Sequence, residues 1–209
     1  MVEERTPRGR PPGSSGDELL AIARAVFLDR GFARATMDEV ASRAHISKAS
    51  LYRAHRSKAA LYAAVVSDWA AAGRGAMRPA LNQLVQGEDP ESDLIELGAT
   101  IRAGVLSPTV LAMRHLVSSE AEAHPEVAAT YFAESWERNI DDLADAFRDL
   151  DRQGKLEIDD PRAAADEFTW LVIGAALNAA LLKGDVPDAP PRLASAVALF
   201  LARYAPDTN

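Results

Sequence analysis

The sequence predicts an all-α protein: an N-terminal three-helix unit with a helix-turn-helix, followed by a larger C-terminal helical region. Three observations predict it. Between residues 36 and 58, short segments with helical apolar spacing and N-cap residues are joined by tight turns. Beyond Lys58 the pattern stays helical, broken only by Pro and Gly clusters. Little strand alternation occurs anywhere along the 209 residues.

The chain opens with Arg5-Thr6-Pro7-Arg8-Gly9-Arg10-Pro11-Pro12 and then Gly13 to Gly16, a stretch without apolar periodicity and too rich in Pro and Gly to fold alone. Residues 1–16 are expected to form a disordered basic arm. Its core, PRGRP, resembles the AT-hook peptide. There, Gly lets the backbone lie deep in a narrow minor groove, and the flanking cations, here Arg8 and Arg10, extend along its negative floor. The plainer reading is a tail with incidental charge, or residues left from a cloning junction.

The first helix is expected from Asp17 to Arg30, with Leu19, Ile22, Ala23, Val26 and Phe27 as its inner face and Gly31 as its left-handed stop. Phe32 then closes the small core. Thr36 starts the second helix. Its hydroxyl can accept the N–H of Glu39 while Glu39 reaches back to the Thr36 backbone, a capping box. Met37, Val40, Ala41 and Ala44 follow at i, i+3, i+4 and i+7, so the helix ends near Ala44.

Only His45 and Ile46 separate this helix from Ser47, the next N-cap. So short a connection forces a sharp corner, the geometry in which a second helix can be offered to a major groove. In that helix Leu51 faces inward with Ile46, which leaves Lys48, Ala49, Ser50, Tyr52 and Arg53 toward solvent. Lys and Arg suit phosphate and guanine, Ala49 and Ser50 allow close approach to base edges, and the Tyr52 hydroxyl can donate to a phosphate. Ser57 is a third cap, and Lys58 opens a long helix containing Leu61, Tyr62, Val65, Val66 and Trp69. The candidate DNA contacts are therefore Arg8, Arg10, Thr36, Ser47, Lys48, Ala49, Ser50, Tyr52, Arg53 and Lys58. The bland alternative is a helical hairpin inside an ordinary bundle, its charges merely solvated.

Later helices are expected near 58–86, 90–105, 108–123, 125–151, 161–183 and 190–205, with Pro79 kinking or splitting the first. The last two are unusually apolar. Phe168, Leu171, Val172, Ala175, Ala176, Ala179 and Leu182 surround much of one, and Leu193, Val197, Phe200, Leu201 and Tyr204 much of the other. Helices of this kind need cover on more than one side, and a two-fold partner is the economical source of it. The alternative is the core of a monomer.

Charge is divided unevenly. Residues 1–67 carry eleven Lys and Arg against seven Asp and Glu, a net +4, while residues 68–209 carry twelve against twenty-four, a net −12, within a total of −8. One end can face phosphate while the acidic remainder repels it and helps orient the molecule. The absence of cysteine excludes disulfides and thiolate metal sites and is compatible with a cytoplasmic setting. No apolar leader opens the chain, and the longest apolar stretch, Trp170 to Leu182, falls short of the ~20 residues that span a bilayer. No membrane partner is expected.

The stretch beginning LLAIARAVFLDRGFARATMDEV and ending ASRAHISKASLYRAHRSKAALY resembles the DNA-binding domain of the TetR family of bacterial transcriptional regulators, over the first third of the chain. Two departures stand out. His45 occupies the turn position usually held by Gly, so it is expected in a left-handed conformation at a cost of roughly 1 to 2 kcal/mol. Ala54 and His55 stand where the family usually has His or Tyr followed by Phe, which removes a phosphate donor and places an ionisable ring at a core aromatic position. Arg53 and Arg56 are placed to compensate. His55 is read as a half-buried structural residue rather than a pH sensor.

The segments MRHLVSSEAEAHPEVAATYFAESWERNIDDLADAF and GKLEIDDPRAAADEFTWLVIGAAL look, more loosely, like the regulatory domain of the AefR and AcrR-like branch. The resemblance implies dimerisation through the two C-terminal helices, at 161–183 and 190–205, and a core domain that senses a small molecule. Candidate linings of such a pocket are Trp69, Met77, Met113, Phe132, Trp136, Phe168 and Trp170. Each of them also suits ordinary core packing. Their apolar bias would fit hydrophobic or amphipathic effectors. Glu120, Glu122 and His124 could suggest a metal, but a solvated helix end before Pro125 explains them as well, so neither metal nor cofactor is expected. No phosphate-binding Gly loop, Cys nucleophile or Ser, His and Asp motif appears, and no enzyme is expected.

The domains implied are the arm 1–16, a DNA-binding unit 17–62 and a ligand-binding and dimerisation unit 63–209. The function implied is a ligand-responsive, homodimeric repressor released from a palindromic operator by a small hydrophobic effector. Two rivals remain: an architectural DNA-binding protein without an effector, and a helical ligand-binding or enzymatic protein that has lost DNA binding.

Overall fold

The computed structural model describes residues 16–73, 75–183 and 190–206, which are helices and turns with no strand among them. The arm with Arg8 and Arg10, and most of the break from Gly184 to Pro191, lie outside the described residues. The chain divides into two compact units, Met1–Asp68 and Trp69–Asn209.

In the first unit, α1 spans Gly16–Arg34, α2 Met37–Arg43 and α3 Lys48–Ala54, and α4, Lys58–Ala72, runs through the division between the units. Gly31 interrupts α1 where the stop was expected, with a kink between two helical pieces. Its φ of 71° and ψ of 162° suit a residue without Cβ, after which a helical turn resumes to Arg34. Leu19, Ala23, Val26 and Phe27 of α1 are buried with Val40, Leu51, Leu61 and Tyr62. The Phe27, Phe32 and Tyr62 rings pack with centroids 5.0 to 6.0 Å apart, in the range that adds to plain area burial.

The second unit holds α5 Arg78–Gln86, α6 Pro90–Val105, α7 Pro108–Glu120, α8 Pro125–Tyr131, α9 Arg138–Arg152, α10 Pro161–Lys183 and α11 Pro190–Tyr204. Pro90, Pro108, Pro125 and Pro161 each begin a helix, where the missing N–H is no loss and the fixed φ is already helical. The split expected at Pro79 falls just before it, so that Pro79 sits in the first turn of α5.

The helix expected over 125–151 is present as a continuous helical stretch from Pro125 to Arg152, with one local change of register: a π-helical segment, Phe132–Glu137, lies between α8 and α9. No Pro or Gly marks that segment, so turn chemistry could not reveal it. The Ser135 hydroxyl donates to the Tyr131 carbonyl at 2.5 Å, one of the local bonds by which Ser bends helices.

α10 packs against α6, α9 and α11, and α5 against α6 and α9. Phe147, Phe168 and Phe200 meet at 5.1 to 5.8 Å, and Tyr204 lies 4.7 Å from Phe200. Residues 161–182 are long and apolar enough to cross a membrane by composition. Their inward face, however, is filled by Ala164, Ala165, Phe168, Val172, Ile173, Ala176, Leu177 and Ala180, which belong to the protein core.

Candidate nucleic-acid interface and ligand cavity

The turn between α2 and α3 is closed by backbone bonds before any side chain is considered. Ile46 N–H donates to the Ala41 carbonyl at 3.0 Å and His45 N–H to that of Ser42 at 3.1 Å, the paired bonds of a Schellman stop. That stop needs a left-handed residue at its centre. His45 supplies it with a φ of 54°, the positive-φ non-glycine residue among those described, as its place in a Gly position implied.

The cap residues act as expected. Thr36 Oγ1 accepts from Glu39 N–H at 3.1 Å, Ser47 Oγ from Ser50 N–H at 3.1 Å, and Ser57 Oγ from Ala60 N–H at 3.1 Å. The reverse half of the Thr36 capping box gives way to ion pairing. Glu39 Oε1 meets Arg43 at 2.6 Å and Arg30 at 3.3 Å, and Asp29 lies 3.4 Å from Arg43.

With both ends of the turn fixed, α3 buries Leu51 and presents Lys48, Ala49, Ser50, Tyr52 and Arg53 to solvent, while Ser47 is half-buried at its cap. Lys48 Nζ is 2.5 Å from Asp38 Oδ2, and both side chains are exposed. A pair of that kind is worth about 0 to 1 kcal/mol, so a phosphate or base can displace it. The face carries Lys48 with the small Ala49 and Ser50 at the N-terminal end of α3, and aromatic and basic side chains, Tyr52 and Arg53, beyond it.

Lys58 departs from its expected role. Its ammonium donates to three carbonyls, Phe32 at 2.7 Å, Ala33 at 3.1 Å and Ala35 at 3.1 Å, and lies 4.5 Å from the Phe32 ring centroid. An ammonium has three N–H donors, and here all three are engaged within the unit. Lys58 is therefore a clamp that gathers the end of α1 onto α4 rather than a phosphate contact in this conformation. His55 ends α3 half-buried, with its N–H on the Leu51 carbonyl at 2.8 Å, and burial lowers its pKa from the ordinary histidine value.

The second unit contains a cavity of about 450 Å³, within the usual range for small-molecule sites. Its walls come from α4, the turn before α5, α6, α7, the end of α8, the π-helical segment and α9. Trp69, Met77 and Trp136 line it, so the structure brings together three of the residues expected there. The other four are elsewhere. Met113 and Phe168 are fully buried, Phe168 among the aromatic core, whereas Phe132 and Trp170 are about half exposed. Hydrophobicity alone could not separate a cavity wall from a filled core or an outer face.

The polar members of the lining escaped sequence reasoning. They include Arg114, Tyr131, Glu134, Arg138 and Asp142. The Arg114 guanidinium lies 5.2 Å from the Trp136 ring centroid, and Glu134 is 3.5 Å from Arg138. Burial pushes the Tyr131 phenol up from its ordinary pKa, opposed by the neighbouring Arg114 charge and by a bond with Ser135, so the phenol remains a neutral hydroxyl at physiological pH. On its far side Trp136 contacts Trp170 at 5.3 Å, which places the cavity one ring away from the exposed face of α10. Among the described residues no cluster of three metal-ligating side chains occurs.

Comparison with known proteins accords with both halves. The family model for bacterial regulatory proteins of the tetR family matches residues 19–65. The model for the C-terminal domain of AefR-like transcriptional repressors matches residues 92–206, more than half of the chain. Among similar solved structures, one described as a TetR-family transcriptional regulator from Mesorhizobium loti is 23% identical, with a TM-score of 0.85 over 92% of this chain and 100% of that one. The flavonoid-responsive regulator FrrA is 24% identical, with a TM-score of 0.74 over 91% of this chain and 96% of its own. SmeT in its triclosan complex is 20% identical, with a TM-score of 0.60 over 91% of each chain. These structures share the fold.

Proposed function

We propose that this chain, which belongs to the TetR family of bacterial regulatory proteins and carries the C-terminal domain of AefR-like transcriptional repressors, is a homodimeric cytoplasmic repressor released from a palindromic operator by a small effector. The observation that carries the reading is the α2–α3 corner. A Schellman stop and a Ser47 cap hold a short helix whose outward residues are Lys48, Ala49, Ser50, Tyr52 and Arg53. In a major groove the first of these read base edges while Tyr52 and Arg53 hold phosphate.

Dimerisation is supported by apolar surface on the last two helices. Trp170 is 51% exposed, Leu171 43%, Leu182 77% and Leu199 64%. On α10, Trp170, Leu171, Ala175, Asn178 and Leu182 fall on one outward stripe, and on α11 Ala194, Ala198, Leu199 and Ala202 do the same. Scattered apolar side chains need no explanation, but two adjoining stripes fit a self-complementary two-fold interface. Two heads then meet successive major grooves about 34 Å apart.

The effector enters the cavity of the second unit, and α4 carries the response, because it supplies Trp69 to the cavity and Lys58 to the clamp beneath α1. An effector acts only through its preference for one conformation, so release requires tighter binding when the heads are out of register with the grooves. A flavonoid-responsive regulator and a triclosan complex among the similar structures support an aromatic effector.

Duplex titration at several salt concentrations tests the reading. A repressor shows both a steep salt dependence and a preferred site. Lys48→Ala or Ser50→Ala should change which sequence is preferred, whereas Tyr52→Ala should weaken all sequences alike. A steep salt dependence with no preferred site favours an architectural role, and no binding at all favours a helical protein that has lost DNA recognition.

A further inference from the structure

Arg114 is anomalous in its surroundings. It lies half-buried on α7 at the wall of a mainly apolar cavity. Its Nε is out of reach of water and has no hydrogen-bond partner. Among the described residues no carboxylate or carbonyl pairs with its guanidinium, which meets the Trp136 ring and the charge-coupled Tyr131. Buried polar groups are ordinarily satisfied, and a cavity-lining guanidinium with no carboxylate or carbonyl partner among the described residues marks the place of an acceptor that arrives with the ligand, met by its terminal amino groups rather than by the enclosed Nε. The stacking on Trp136 holds the planar fork in place without consuming any N–H donor.

The other charges around the cavity sharpen the point. Glu134 pairs with Arg138 at 3.5 Å. Asp142 belongs both to the cavity and to a neighbouring depression that it lines with Arg78, Asn82 and Asp145 on α5 and α9. The cavity lining thus combines the Arg114 cation, the neutral Tyr131 phenol, aromatic surface from Trp69 and Trp136, and the Asp142 carboxylate.

We infer that the cavity is shaped for an amphipathic aromatic oxyanion, a ring system bearing one carboxylate or phenolate, with the charged group received by Arg114 and the rings against the apolar lining that includes Trp69 and Trp136. The inference rests on the reading of this cavity as the effector site. A guanidinium takes a carboxylate in a bidentate manner, and a phenolate oxygen by a charge-assisted bond, neither of which a neutral hydroxyl can reproduce.

The test uses the full-length protein with two probes of one shape, 2-naphthoate and its neutral counterpart 2-naphthylmethanol. Binding is read by calorimetry and by the emission of the tryptophans, two of which line the cavity. The naphthoate should bind at least about tenfold more tightly, the size expected of a charge-assisted bond. Arg114→Met should remove that preference while leaving the alcohol's affinity within about threefold, with thermal melting to check that the variant is folded. Asp142→Asn, which deletes the like charge, should raise naphthoate affinity about two- to fivefold and carries the test if Arg114→Met does not fold. An alcohol that binds as well as the naphthoate, or a naphthoate preference that survives Arg114→Met, overturns the inference and leaves the effector reading standing. Failure of both probes to bind at millimolar concentration, with unchanged emission, overturns the two together.

Discussion

The two compact units treat their polar groups in opposite ways. In the first, caps, carbonyls and charges are closed on one another. Thr36, Ser47 and Ser57 hold helix N-termini, Lys58 spends three donors on the end of α1, and Arg30, Arg43, Glu39 and Asp29 form a linked set. In the second, Arg114 lines a cavity with its Nε buried and without a hydrogen-bond partner among the described residues. A reading head must hold α3 in one geometry, since a small misplacement ruins base contacts. A sensor must leave something unsatisfied for a ligand to complete. The first unit is finished without its partner and the second is not.

The largest effect that can break this contrast lies in the filled core. Phe168→Ala should lower stability by about 3 to 5 kcal/mol in urea denaturation, because Phe168 is fully enclosed by Phe147 and Phe200. Trp69→Leu, on the cavity wall, should cost far less and shift ligand affinity instead. Should Phe168→Ala alter ligand binding with little loss of stability, the division between core and cavity is misplaced.

Next is the clamp. Lys58→Met should destabilise the protein by roughly 2 to 3 kcal/mol while leaving the salt slope of DNA binding unchanged. Arg53→Ala should do the reverse, with stability within about 0.5 kcal/mol and a salt slope reduced by about 0.9 for each head. A reduced slope for Lys58→Met with normal stability would return Lys58 to the phosphate contacts.

Smaller effects probe the turn. Ser47→Ala should cost about 1 kcal/mol, the usual loss for an N-cap, and weaken operator binding by loosening α3. His45→Gly should gain about 0.5 to 1 kcal/mol by relieving the left-handed strain, part of the relief being offset by the freer unfolded chain.

The smallest is a pH effect. Burial holds the folded-state pKa of His55 below the ordinary value near 6.5, so the unfolded chain binds more protons between the two values. The His55 contribution is complete above the unfolded pKa and is lost as pH falls through the folded one. Replacing His55 with Phe should flatten the stability profile between pH 7 and 5, and an unchanged profile would place the ring in water.

The first unit was largely legible in the sequence because its structure is local. Caps, a two-residue turn and a Leu51 facing inward are properties of adjacent residues, and His45 announced its left-handed turn by its position. The second unit was legible at its prolines, which set the starts of α6, α7, α8 and α10, and not at its cavity. Trp136 and Trp170 touch one another, yet one lines the cavity and the other faces outward. Trp136 lies within the π-helical segment Phe132–Glu137, which no Pro or Gly announces. Arg114 was invisible for a similar reason. A charged residue on a helix is ordinarily solvated, and only its lack of an acceptor distinguishes it.

The measurement that bears most directly on the account is selection of bound sequences from a random duplex pool with the purified full-length protein. Recovery of an inverted repeat with half-sites about one helical turn apart is the predicted result, since it requires two identical heads held at a fixed separation. Recovery of AT-rich duplexes without a repeat, or of no enriched sequence, would contradict a dimeric operator reader.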